Sequence, residues 1–249
     1  MITDAFDIKT DAVFGPENFY GEKKHLCDIC IITFSDLIWN YMIESFEHEY
    51  VGTIKCANGV TPAYIFNIEG MKIAGYLSHI GSAMAATDVI DVHWFTGSTK
   101  FIMFGSAGSL DSDVTTGKFV IPTEAYREEG MSYQYAAPTD YIEIKNAKSM
   151  LSIFEELKLP YVLGKVWTTD AFYRETKGKL KARKNEGCIA VEMELSGVQA
   201  VCNFYGLDLY DFLVTGDVLD EAAYDYAGLG NANHDMNKLF IAIEVAKKI

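Results

Sequence analysis

CIAVEMELSGVQAVCNFYGLDLYDFLVTGDVLD, running from Cys188 to Asp220, carries the fold in one stretch. CIAVEM is a short apolar run and reads as a buried strand. From Glu194 to Tyr205, the residues Leu195, Val198, Val201, Cys202 and Tyr205 fall on one face at helical spacing. LYDFLVTG (Leu209–Gly216) reads as the next buried strand. Outward from this unit the alternation continues. FIMFGSAGSL (Phe101–Leu110) is a buried strand running into a glycine loop, followed by the strand KFVIP. SAMAATDVIDVHWF (Ser82–Phe95) is a packed helix, and TPAYIFNIEGMKIAGYLSHI (Thr61–Ile80) is a hairpin turning at Glu69–Gly70. CDICIIT (Cys27–Thr33) is a strand, after which Ser35 caps a helix presenting Leu37, Ile38, Tyr41, Met42 and Phe46. Downstream come helix Ala147–Leu157, strand YVLGKVW, a charged helix around Lys179–Asn185, and a final helix around Asp235–Lys248. Strands alternating with helices predict a single α/β domain with a twisted, mixed, largely parallel sheet flanked by helices. Residues 1–26 are polar and read as an N-terminal arm, and 27–249 as the single folded domain. Ligands of such sheets bind beyond the carboxyl ends of the strands, so the segments after Phe104, around Met193 and after Val214 matter most.

Composition narrows the function classes. The chain of 249 residues is 49% hydrophobic and carries a formal net charge of −14. That charge repels nucleic acid and anionic membranes, so neither is an expected partner. Five cysteines do not make a disulfide framework, and no apolar window is long enough to span a membrane. The N-terminus lacks the pattern of a signal peptide, so a cytoplasmic protein is expected. CDIC has the spacing of a redox or zinc pair, but it sits in an apolar run without a second pair and reads as core. The histidines are scattered, and no metal is expected.

Four motifs fall at the strand ends. In GSAG (Gly105–Gly108), glycines let backbone N–H groups approach an anion or sugar, and Ser106 adds a hydroxyl; an ordinary tight turn is the commoner role. In AVEMELSG (Ala190–Gly197), Glu194 opens a helix where ligands bind, and its carboxylate can accept two hydrogen bonds from a vicinal diol. It could equally serve only as a favourable charge at the helix N-terminus. Met193 could pack on a flat ring or on the core. In GDVLD (Gly216–Asp220), Asp217 follows a buried strand; partial burial would raise its pKa and suit it to general acid work, although an Asx-turn or cap is the commoner fate. In TTDAFYRE (Thr168–Glu175), Phe172 and Tyr173 could offer a stacking face or be plain core.

In this order, GSAG, TTDAFY, AVEME and GDVLD resemble the purine nucleoside phosphorylase/uridine phosphorylase family, which includes methylthioadenosine/S-adenosylhomocysteine nucleosidase and AMP nucleosidase. SHIGSAMAAT (Ser78–Thr87) also resembles the family's glycine loop. The resemblance implies a one-domain α/β fold assembled as a homo-oligomer, a dimer or a trimer of dimers, acting on a small-molecule nucleoside without a cofactor. By the same resemblance, Glu194 would hold the ribose diol and Met193 would lie against the sugar. Phe172 would stack on the base beside Gly216, and Asp217 would protonate a purine leaving group. Ser106 and Gly105 would sit at the nucleophile.

The departures concern the acceptor. Where the phosphorylases place a glycine and an arginine after the first strand, this chain has Phe34 and Ile38, and a second family arginine is replaced by Met103. An arginine of the methylthioadenosine nucleosidases is replaced by Leu213. The chain holds only Arg127, Arg174 and Arg183, and a buried phosphate dianion without cationic partners is very costly. The expectation is therefore N-glycosidic cleavage of a purine-type nucleoside with water as acceptor, with Asp36 the nearest carboxylate to activate it. The alternatives are a phosphate-dependent phosphorylase and a non-catalytic nucleoside-binding or storage protein on the same fold.

Overall fold

The computed structural model describes residues 1–57 and 59–249. A short 3-10 turn at Ile2–Asp4 and the one-turn helix α1 (Glu17–Tyr20) precede strand β1 (Ile29–Thr33) and helix α2 (Asp36–Ser45). Strands β2 (Glu47–Cys56), β3 (Gly59–Ile68) and β4 (Met71–Leu77) follow, then α3 (Ser82–Thr96), β5 (Lys100–Ser109) and α4 (Ser112–Thr115). Next come β6 (Phe119–Glu128), α5 (Ser132–Tyr135), β7 (Tyr141–Glu143), α6 (Ala147–Glu156) and β8 (Tyr161–Thr169). The chain ends with α7 (Lys177–Asn185), β9 (Cys188–Glu192), α8 (Leu195–Tyr205), β10 (Asp208–Leu219), β11 (Tyr224–Asp225), α9 (Leu229–Asn233) and α10 (Asn237–Ala246).

All strands join one mixed sheet in the order β11-β10-β6-β8-β9-β5-β1-β4-β3-β2, with β7 on β6. A further pairing of β10 with β5 closes β10, β6, β8, β9 and β5 into a ring. The pairings of β1 with β4 and β5, of β5 with β10, and of β8 with β6 and β9 are parallel. The hairpin β3–β4 and the pairings β5–β9 and β6–β10 are antiparallel. The hairpin turns at Glu69 (φ 52) and Gly70 (φ 83), two successive left-handed residues that match the twist of the flanking strands.

Helices cover both faces. Ala85, Val89 and Val92 of α3 and Leu195, Val198 and Val201 of α8 share one core with Cys30, Met103 and Leu213 from the strands. Ile38, Trp39 and Met42 of α2, Phe154 of α6 and Leu239 of α10 form the other with Ile31, Ile102 and Phe212. The alternation along β10 is visible here: Leu209 and Leu213 face the first core, Tyr210 and Phe212 the second. Cys27 and Cys30 are buried free thiols within β1 and its approach. The arm is fastened to α3, where the Tyr20 hydroxyl donates to Asp91 at 2.8 Å and the Trp94 indole N–H to the Gly21 carbonyl at 2.8 Å.

Three readings are corrected. Ser35 does cap α2, its hydroxyl accepting the Ile38 N–H at 3.2 Å, but the buried stripe is Ile38, Trp39 and Met42 while Leu37 is 54% exposed. The stripe is rotated because Trp39 reaches Phe66 and Tyr64 on β3. GSAG is not a loop: β5 runs through it, since β10 on one side and β9 on the other continue to supply backbone partners up to Ser109. GDVL is likewise strand, interrupted only by a bulge between Thr215 and Asp217. The sequence reading also passes over β2, whose Glu47–Tyr50 segment is exposed and charged and gives no apolar alternation.

Candidate active site

A cavity of about 430 Å³ opens where β5, β9 and β10 end. Its wall is built from Thr33–Ser35 after β1, Met103–Gly108 of β5, Val191–Glu194, Asp211, Leu213 and Asp217 of β10, Phe172 and Glu175, and Leu229, Asn233, His234 and Lys238. The strand-end positions thus converge, although two of the four motifs are strand rather than loop.

At the junction of β9 and α8, two glutamates divide two tasks. Glu192 is 6% exposed, and one of its carboxylate oxygens accepts the N–H of Glu194 at 2.6 Å and of Leu195 at 2.7 Å. Its other oxygen accepts the Thr168 hydroxyl. Glu192, not Glu194, is therefore the charge at the helix N-terminus. Glu194 is left with one partner, the Gly81 N–H at 2.6 Å, and turns into the cavity. Gly81 sits at φ 97, a conformation glycine adopts without strain, which aims that N–H. Burial raises the pKa of both glutamates, and the neighbouring Glu192 charge raises that of Glu194 further. The Met193 carbonyl is held by the Ser82 hydroxyl at 2.9 Å, which leaves its side chain in the cavity wall.

Asp217 is 6% exposed and accepts a hydrogen bond from the Tyr224 hydroxyl at 3.0 Å. Burial raises its pKa, and the Tyr224 bond works against that rise. Glu175 lies nearby, pushed up to about 7 by burial first and by the Asp217 charge second. Phe172 is 43% exposed and stands edge-on to Tyr173 at 4.7 Å between ring centroids.

Ser106 and Gly105 line the opposite end, with the Ser106 hydroxyl donating to the Asn233 side-chain carbonyl. There, His234 Nδ1 lies 2.8 Å from the Ser35 hydroxyl, and the Lys238 ammonium donates to the carbonyls of Ala232 (2.5 Å) and Asn233 (3.2 Å). Burial pushes the Lys238 pKa down to about 8. Phe34, Met103 and Leu213 are apolar wall at this end.

Two expected residues are not in the wall. Asp36 faces solvent in the first turn of α2, accepting its neighbour Leu37's N–H and lying 3.7 Å from His234. Gly216 lies on the bulge beneath α9, where a Cβ would meet Ala232 at 2.6 Å and Leu229 at 2.9 Å. Its function is close packing rather than contact with the cavity. Ile38 also lies outside it, in the core of α2. Glu175, Asp211, Asn233, His234 and Lys238 are wall residues that sequence reasoning missed. A signal existed for one of them: Asp211 interrupts the apolar run LYDFLV, and a carboxyl inside a buried strand needs a partner or a task. Lys238 and His234 gave none, because they reach the cavity from a helix and a turn far along the chain. His79 is satisfied by Asp88 at 2.9 Å and is not part of the wall. Among the described residues no group of three or more His, Cys, Asp or Glu side chains could hold a metal ion, and no helix is long and apolar enough to cross a membrane.

Comparison with known proteins gives the family. An uncharacterized protein of Acanthamoeba polyphaga mimivirus is 31% identical over 124 residues, 50% of this chain and 48% of that protein, so the chain spans about half of its length. A DeoD-type purine nucleoside phosphorylase of Colwellia psychrerythraea is 25% identical over 157 residues, 62% of this chain and 67% of that one. A futalosine hydrolase mutant of Helicobacter pylori superposes with a TM-score of 0.68 at 17% identity, covering 88% of this chain and 99% of its own. The phosphorylase superfamily model matches residues 28–247, so a strand-end cavity lined by Glu194 and Asp217 stands in a chain that belongs to that superfamily of enzymes.

Proposed function

We propose that the chain hydrolyses the N-glycosidic bond of a purine-type nucleoside. The observation that carries this reading is the make-up of the cavity wall, rich in carboxyl groups and without an arginine. Glu175, Glu192, Glu194, Asp211 and Asp217 line it, while Arg127, Arg174 and Arg183 all lie outside the wall. Arg127 is spent on Ser132 and on the carbonyls of Ala136, Ala137 and Thr139. Arg183 lies over the Tyr126 ring and is bonded to Glu186. A buried phosphate dianion would find no guanidinium here to neutralise it, and each of these carboxyl groups that ionises would repel it, whereas a neutral water needs no counter-charge.

In this reading Glu194 accepts the ribose diol, and Met193 lies against the sugar. Phe172 stacks on the base. Asp217, kept protonated to higher pH by burial, donates a proton to the departing purine, a contribution worth about 100- to 10,000-fold. In its ionised form Glu194 favours the oxocarbenium character the ribose gains as the bond breaks. The superfamily fold does not choose the acceptor, because it is shared by a protein named a phosphorylase and one titled a hydrolase.

Phosphorolysis keeps one observation in its favour, the Lys238 ammonium in the wall beside Ser106. Base release in phosphate-free buffer separates the two. The hydrolytic reading expects free ribose at a rate that millimolar phosphate leaves unchanged. Release that depends on phosphate and yields ribose 1-phosphate overturns it. No base release from any nucleoside with either acceptor leaves a binding protein.

A further inference from the structure

We propose that Asp211 is the base that holds and deprotonates the attacking water; this rests on the hydrolytic reading above. Asp211 lines the cavity, is 1% exposed, and neither of its carboxylate oxygens has a hydrogen-bond partner among the described residues. Every other carboxyl group of the cavity wall that is this deeply buried is occupied: Glu192 by two backbone N–H groups and Thr168, Asp217 by Tyr224. An uncompensated buried carboxyl is costly, and such a group persists in a stable fold when a ligand or water completes it.

Its place in the sheet fits the nucleophile. Asp211 and Met103 are register partners on the parallel strands β10 and β5, two residues before the pair Leu213 and Gly105. Alternation puts Asp211 on the same face as Leu209 and Leu213, under the end of the cavity that Ser106 and Gly105 line. Allowing for the bulge at Gly216, the Cα atoms of Asp211 and Asp217 are separated by about 16 Å of strand. Both carboxyl groups line the same cavity, and one acid with one base is the division of labour of single-displacement glycoside hydrolysis.

The step balances without a further reactant. A water oxygen lone pair forms the bond to C1′ while the N–C1′ electron pair leaves with the base. The Asp217 proton goes to the base, and the water's proton goes to Asp211. Free ribose and free base leave, and the two carboxyl groups return to their starting states by exchange with solvent. Burial, and then the charges of Glu192 and Glu194, push the Asp211 pKa well up, so only the ionised fraction of Asp211 serves as the base, and that fraction is a strong one. The other titratable groups of the cavity are Glu175, Asp217, His234 and Lys238.

The test uses Asp211→Asn and Asp211→Ala in the full chain, in phosphate-free buffer, with sodium azide as an alternative nucleophile that needs no base. Thermal melting and nucleoside binding report whether each variant is folded. The expected result is a loss of ribose formation of about 100- to 10,000-fold in both variants, with nucleoside affinity within a few-fold. Azide should restore base release, with ribosyl azide as the product. A purely structural role would not be rescued by a nucleophile. Asp211→Asn hydrolysing within tenfold of wild type overturns the assignment, as does a folded variant that azide does not rescue. If Asp211→Ala fails to fold, the nearly isosteric Asp211→Asn carries both measurements. A wild-type chain that releases no base without phosphate overturns the hydrolytic reading itself, and this assignment with it.

Discussion

The carboxylate of Glu192 accepts the backbone N–H of Glu194 at 2.6 Å, so the first glutamate closes the helix end and leaves the second free to meet a ligand. The two substitutions to glutamine should therefore diverge. Glu194→Gln removes the charge and one acceptor facing the sugar diol, and should raise KM and lower kcat for ribosides with little loss of stability. The 2′-deoxyriboside, lacking half of that diol, should suffer less. Glu192→Gln removes a charged acceptor of two buried N–H groups and should cost about 1–3 kcal/mol of stability. Kinetics on paired riboside and deoxyriboside substrates, with melting curves of both variants, check the division. Equal losses on the two substrates would remove diol binding from Glu194.

The same pair predicts how stability depends on pH. Both carboxyl pKa values are raised by burial above the ordinary 4.5, so the folded state holds these protons more tightly than the unfolded chain does. Stability contributed this way is fully present below the ordinary carboxylate value and is lost as pH rises through the raised values. The ligand-free protein should melt at progressively lower temperature from mildly acidic to mildly alkaline pH. Glu194→Gln should flatten that slope. A melting temperature that rises over this window would show that the pair is not ionising as its burial requires.

Asp217→Asn should abolish turnover while leaving nucleoside affinity nearly unchanged, because an amide keeps the shape and cannot release the proton. Tyr224→Phe gives a finer test. The Tyr224 hydroxyl donates to Asp217 at 3.0 Å and so favours its carboxylate form. Removing that bond raises the Asp217 pKa. Since the acid must be protonated to act, the alkaline limb of the kcat profile should move to higher pH. A profile that stays in place, or moves to lower pH, would separate this pair from the proton transfer.

How far the sequence spoke depends on where each signal was stored. The strand–helix–strand unit at Cys188–Gly216 was legible because its apolar spacing is local. The hairpin turn was legible because Glu69–Gly70 supplies the two left-handed residues. GSAG and GDVL read as loops because glycine and aspartate are turn residues, yet strand partners on both sides of β5 keep them extended. Among the residues of the cavity wall, Glu194 and Asp217 are legible from strand ends and resemblance. Glu175, Asn233, His234 and Lys238 are not, since what brings them together is the folding of Phe172–Glu175 and of α9–α10 over the sheet. Asp36 was nominated from chain proximity to β1, and the turn into α2 carries it to the outside.

Gly216→Ala tests the packing that positions Asp217. The added methyl would overlap Ala232 and Leu229, and neither the bulge nor the turn of α9 can yield without moving the other. The expected cost is about 1–3 kcal/mol, with loss of activity exceeding what the drop in stability explains, because α9 carries Asn233 over Ser106. Full activity with an unchanged melting curve would mean that α9 adjusts freely.

Phosphate should leave the melting temperature where it is. A ligand that binds only the folded state stabilises it by RT ln(1 + [L]/Kd), about 2.7 kcal/mol at a hundredfold excess over Kd. A site built for phosphate would show that at millimolar concentration. Here the one ammonium in the wall is tied to the carbonyls of Ala232 and Asn233, and its pKa, down to about 8, leaves part of it uncharged in mildly alkaline buffer. Phe34, Met103 and Leu213 offer no donors, and no arginine lines the cavity. Sulfate at the same ionic strength controls for its similar exclusion from protein surfaces, so only a rise specific to phosphate counts. A phosphate-specific rise of several degrees that Lys238→Met abolishes would show that Lys238 and Ser106 replace the missing arginines, and would turn the assignment from hydrolysis to phosphorolysis.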